Sequence, residues 1–249
     1  MSNQRYPLIL RWQAPLPLRV IRSLRKPRAV PWFDGESNAD SGQRVDGPFN
    51  FCVSIQRLVM DIALRCSEFR HLQVPRILVS VTQARAASKH GLQARVTPLR
   101  FANGTLTRQR RDVPFHIQRY FLGEHEYLYL LTFVLPRFLD QDFDQKIVTL
   151  FHELYHMGPA FNGDLRRHKG RYQFHSHSQR GYDEQMAHYA RAYLAGRPDP
   201  SLHGFLRMSF AQLQERHGTV TGIVVPHPKI IPLIGPYAAA NISSPTIKP

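Results

Sequence analysis

Residues 138–159 read FLDQDFDQKIVTLFHELYHMGP. Phe143, Ile147, Leu150 and Leu154 follow one another at intervals of four, three and four, which is one apolar stripe of an α-helix. Asp140 and Asp142 suit its start, because a short acidic side chain caps free N–H groups and complements the helix dipole. Gly158-Pro159 stops it. On this helix lies His152-Glu153-Leu154-Tyr155-His156, an HExxH pattern. Positions i and i+4 sit about 40° apart around the axis and about 6 Å apart along it, so two imidazoles can converge on one cation. Glu153, beside the first imidazole, is placed to take a proton from a metal-bound water. Residues drawn independently at this composition would give about 0.02 such matches in the whole chain.

A catalytic zinc takes three protein ligands and leaves a fourth place for water. Six of the 13 histidines fall within residues 152–188: His152, His156, His168, His175, His177 and His188. His175 and His177 would share one side of an extended segment, so either is a candidate third ligand, with His168, Asp183 or Glu184 as alternatives. His188 belongs to the following helix and suits packing or support of the site. Arg166, Arg167, Lys169 and Arg171 put four cations within six residues. They are either a solvated loop or a clamp on substrate carbonyls and carboxylates, with Arg166 and Arg167 foremost. Tyr172 and Tyr182 are candidates to stabilise an oxyanion, against the plainer reading of core packing.

Upstream, residues 49–71 read as an amphipathic helix, with Ile55, Leu58, Val59, Ile62 and Phe69 on its apolar side. RILVSVT (76–82), RVTPLRF (95–101) and YLYLLTFVL (127–135) read as strands, the second confined to an edge or bend by Pro98. Asn103-Gly104 is a turn signal, and TLTRQRRDVPFHIQRYF after it is basic and poorly patterned. Residues 182–196 make another helix, and Ser201 is expected to cap a last one reaching about Arg216. Together these predict an α+β fold: a leading helix, a small twisted sheet, and the HExxH helix packed on it. The sheet edge beside that helix is a place for an extended peptide to add as a strand.

The HELYH helix, the NGDLRRHKGR loop (162–171), the HSHS segment (175–178) and the Tyr182-Asp183 pair carry a family resemblance. Over residues 152–186 the chain resembles the phage-type metallopeptidases, a small zincin-like group similar in outline to minimal SprT-type metalloproteases. The likeness extends more loosely over 49–200. It implies a zinc-dependent peptidase with a compact zincin-like α+β fold and His152 and His156 as metal ligands; it supplies neither substrate nor third ligand. Unlike metzincins, the chain has Asn162 where HExxHxxGxxH requires its last histidine.

Around this core, residues 1–46 read as a basic, proline-containing extension, 47–217 as the metallopeptidase domain, and 218–249 as a proline-rich tail. The first 33 residues hold seven basic side chains, no acidic one and five prolines. At 249 residues and 43% hydrophobic, the chain can bury one good-sized core and is too apolar to be wholly disordered. No apolar run reaches 18 residues, which excludes a transmembrane helix. Arg11, Arg19 and three prolines interrupt the start where a secretory leader needs an unbroken apolar run, so a cytoplasmic protein is expected. Cys52 and Cys66 sit 14 residues apart on one predicted helix, too far for a disulfide. The net charge of +15 favours an acidic partner. The expected activity is hydrolysis of a peptide or protein substrate at Zn2+, with Glu153 as general base and proton donor to the leaving amine. The alternative is a basic nucleic-acid-associated protein whose zinc is structural or vestigial. Glu153 speaks against it, because a closed four-ligand site has no use for a spare carboxylate.

Overall fold

A computed structural model describes residues 6–24, 47–86, 88, 90–167 and 179–234. In chain order its strands are β1 (Ile9–Trp12), β2 (Leu18–Val20), β3 (Phe49–Asn50), β4 (Ile77–Gln83), β5 (Ala94–Pro98), β6 (Thr107–Arg110), β7 (Val113–Ile117), β8 (Arg119–Leu122), β9 (His125–Tyr127), β10 (Tyr129–Leu135), β11 (Val220–Ile223) and β12 (Ile230–Pro232). The helices are α1 (Phe51–Arg65), α2 (Phe143–Tyr155), α3 (Gln179–Ala195), α4 (Pro200–His203) and α5 (Phe210–His217). The class is α+β, as the residue pattern predicts.

The central sheet has the order β4-β10-β5, with β4 parallel and β5 antiparallel to the middle strand. Because side chains alternate across a strand, β4 and β10 bury both faces. Ile77, Val79 and Val81 face the same core as Leu131, Phe133 and Leu135, and the apolar stripes of α1, α2 and α3 pack there. Leu78 and Leu130 face the other way, into a smaller cluster with Leu16, Leu99, Tyr120 and Tyr127. On that second face Ser80 and Thr132 satisfy each other's hydroxyls at 2.9 Å. Phe51, Phe133 and Phe138 meet edge-on at the end of the main core, with ring centroids 4.7–5.9 Å apart.

Strand pairing carries the folded body across the limits expected at 46 and 218. β1 runs parallel to β8, β2 and β3 flank β11, and β12 pairs with β7. Short segments that bury little alone find partners at least 110 residues away. The stretch after Gly104 also turns into β6, β7 and β8. The leading helix stops at Arg65, because Cys66 is extended and only a 3-10 turn follows. The two cysteines therefore do not share a helix, and both are free thiols. The last helix is broken: Asp199 caps the short α4, and Ser209, with Gln212 in a reciprocal capping box, starts α5. Among the described residues no helix is long and apolar enough to cross a membrane.

One buried charge ties the HExxH helix to this second half. Lys146 on α2 is 1% exposed and its Nζ donates to the carbonyls of Leu206 and Met208 at 2.9 and 2.8 Å. Burial pushes its ammonium down to about 8, against the opposing pull of Asp140 and Asp142. Its folded value lies below its unfolded one, so between about pH 8 and 10.5 the unfolded chain holds the extra proton. Stability should therefore rise across that window by up to about 3 kcal/mol relative to a Lys146→Met variant. Parallel urea titrations of the two proteins at pH 7.5 and pH 10 measure this, and a constant difference between them would refute it.

Candidate metal centre

The helix that carries the site begins where Asp142 accepts the Gln145 N–H at 2.7 Å. It ends at His156, whose N–H still bonds the His152 carbonyl. The chain then folds back on itself. Gly158 donates to the Asp164 carbonyl, Met157 bridges Leu165, and the Arg166 N–H returns to the His156 carbonyl at 2.7 Å. The reversal depends on two glycines. A Cβ on Gly158 would lie 2.8 Å from the Asp164 carbonyl oxygen, and Gly163 sits at φ +88° with its Cβ position 2.5 Å from Arg100. From the middle strand the Tyr129 hydroxyl donates to the Asp164 carbonyl at 2.7 Å and accepts the Gly163 N–H at 3.2 Å. Asp164 completes the loop. Its carboxylate accepts the N–H groups of Asn103 and Leu165 and two donors of the Arg167 guanidinium.

Against this frame the two imidazoles meet. His152 and His156 have ring centroids 4.7 Å apart at 76°, and both are partly exposed. Tyr182 from α3 lies 4.8 Å from His152 and stacks on His156 at 5.8 Å, itself only 2% exposed. Its burial raises the phenol well above its ordinary value. The next residue of α3, Asp183, brings a carboxylate oxygen to 3.7 Å from His152 Nδ1. Glu153 points elsewhere, towards the sheet. It is 9% exposed, and Oε2 accepts the Val96 N–H at 2.7 Å. β5 is an outer strand, so this amide faces away from β10 and off the sheet edge. Burial pushes the Glu153 carboxyl up to about 7, with the Val96 N–H and the nearby Arg95 charge pulling the other way.

The structure thus brings together His152, His156, Tyr182 and Asp183, with Glu153 turned towards Val96. His168, His175, His177, Lys169, Arg171 and Tyr172 lie outside the described residues. Among the described residues no group of three or more His, Cys, Asp or Glu is disposed to hold a metal. Arg166 packs its guanidinium 3.9 Å over the Tyr155 ring, donates to the Tyr155 carbonyl and pairs with Glu68 at 3.1 Å. Arg167 is held by Asp164 with its side chain 39% exposed. His188 is exposed on another part of α3 and lines an open pocket of about 490 Å³ with Cys66, Glu68 and Tyr193. Two contributors escape a reading of residue types. The Val96 donor is main chain and has no signature, and Asp164 resembles any loop aspartate until its partners are known. Compared with known proteins, the chain matches no family model, no curated protein and no solved structure.

Proposed function

We propose that this chain is a zinc-dependent peptidase of zincin-like arrangement. The reading is carried by the convergence of two imidazoles, 4.7 Å apart between ring centres, with a buried carboxyl on the residue between them. The donor set suits zinc: two neutral imidazoles one helical turn apart and an adjacent carboxylate not needed for ligation. His152 and His156 would hold the ion, and His175, His177 or His168 would supply the remaining donor. Bound there, zinc supplies Lewis-acid polarisation of a scissile carbonyl and lowers the pKa of water.

The chain's own groups do the rest. Glu153 takes a proton on a carboxylate oxygen and returns it to the leaving amine. The Val96 amide orients that carboxylate. Asp183, facing Nδ1 of His152, favours the tautomer protonated there, which leaves Nε2 with its lone pair free to bind. The outer edge of β5 suits an extended peptide. Main-chain groups alternate along a strand, so with the Val96 N–H taken by Glu153 and Pro98 lacking one, the Ala94 N–H and the outward carbonyls are left to meet it. Tyr182, packed on both imidazoles, limits their rotation and is near enough to the pair to meet a developing oxyanion.

Purified protein is expected to carry about one zinc per chain, in keeping with a single mononuclear site. Glu153→Gln should keep the metal and lose about 10²- to 10⁴-fold of peptide hydrolysis, read by mass spectrometry on a broad peptide library. Full activity in that variant would end the general-base assignment. Metal titration provides a separate check. Asp183→Asn should bind zinc about 10- to 100-fold more weakly, the usual cost of losing a carboxylate that orients a ligand histidine. Unchanged affinity would remove Asp183 from the site.

A further inference from the structure

A basic surface of the described chain lies on the sheet of order β12-β7-β6. Its register sorts the side chains by face. His116 lies opposite both Thr107 and Ile231, and His116 and Ile231 are buried at 8% and 4% exposure, so that face is turned inward. Phe115 lies opposite both Arg108 and Pro232, and Arg110 opposite Val113, on the outward face. There Arg108 and Arg110 are exposed, Phe115 is half-buried and Ile230 is 55% exposed, while Ile117, at the β8 end of the same face, is buried. Arg111 follows at the hairpin tip, at φ +51°. Asp112 is the one acidic residue between Thr107 and Ile117. Arg108, Arg110 and Arg111 form no ion pair among the described residues, whereas Arg100 and Arg119 both converge on Glu126.

We infer that this outward face is a binding surface for single-stranded nucleic acid. Exposed guanidinium forks suit phosphate oxygens, and the Phe115 ring directly opposite Arg108 suits an unstacked base. The Arg108 guanidinium already lies over an aromatic face, 5.1 Å from the centre of the Phe101 ring. A duplex keeps its bases stacked inside and would use the cations alone. An acidic protein or an anionic membrane would likewise have no use for a ring set beside the cations on one sheet face. The turn entering β6 is pinned by the Asn103 N–H to Asp164, the residue that holds Arg167. The surface itself requires no metal, so its test is independent of hydrolysis.

Fluorescence anisotropy of the full chain with labelled oligo-dT and oligo-U of about 20 nucleotides, against a duplex of the same length, tests this across a salt series. The expected result is binding of a single strand, of either sugar type, more tightly than duplex, with log affinity falling linearly in log salt. Arg108→Ala/Arg110→Ala should lower the magnitude of the salt slope by about 1.4, the value for two lost phosphate contacts on a single strand. Phe115→Leu keeps the apolar body and removes the ring. It should weaken single-strand binding roughly tenfold while leaving the salt slope and duplex binding unchanged. Wild-type binding by the double arginine variant would overturn the proposal, and because both positions are exposed that variant is expected to melt as the parent does. Equal losses on single strand and duplex in Phe115→Leu would overturn it too, as would tighter binding to anionic vesicles than to the oligonucleotides.

Discussion

A helix with one apolar stripe has one way to lie on a sheet, and that constraint positions everything around the candidate centre. Ile147, Leu150, Phe151 and Leu154 are buried to 1% exposure or less, and they occupy one side of α2. At about 100° per residue, His152 and His156 then fall on the opposite side of the axis, under α3, while Glu153 projects between the two sides. Burial of four hydrophobic side chains, each contributing about 1.5–3 kcal/mol, thus turns the imidazoles away from the sheet and the carboxyl towards its edge. No special interaction is needed to set the two imidazoles apart from the carboxyl; the helical period does it.

The surrounding loop shows the same economy. Gly158 and Gly163 permit the reversal, Tyr129 reaches out of the middle strand to hold two of its main-chain groups, and Asp164 gathers the Asn103 turn and Arg167. The loop after the helix is therefore anchored to the strand at the centre of the fold rather than left to the surface. Arg166 belongs to this anchoring through Tyr155 and Glu68.

What the chain's letters reveal tracks how local each cause is. The HELYH helix, β10 and the Asn103-Gly104 turn are legible because periodicity, a continuous apolar run and a positive-φ pair act within a few residues. Strands β6 to β8 are not. Arg108, Arg110 and Phe115 share one outward face, so apolar and charged residues do not sort by side, and Pro114 interrupts the pattern further. β1, β2, β11 and β12 are short and acquire their hydrogen bonds from distant partners, which no window of sequence contains. Ser201 looks like a helix cap, yet Asp199 takes that role and the helix soon breaks. At the candidate centre the helix pair is readable. The Val96 amide and the geometry of Asp183 depend on how α2 meets β5 and α3.

The carboxyl of Glu153 is held by a peptide N–H rather than by another side chain. Every amino acid except proline carries that group, so replacement at position 96 can alter the bulk around the contact but seldom delete the donor itself. Drift in side-chain identity along β5 then reshapes what rests against the strand while the acid keeps its anchor, so the strand's surface and the carboxyl's position vary independently.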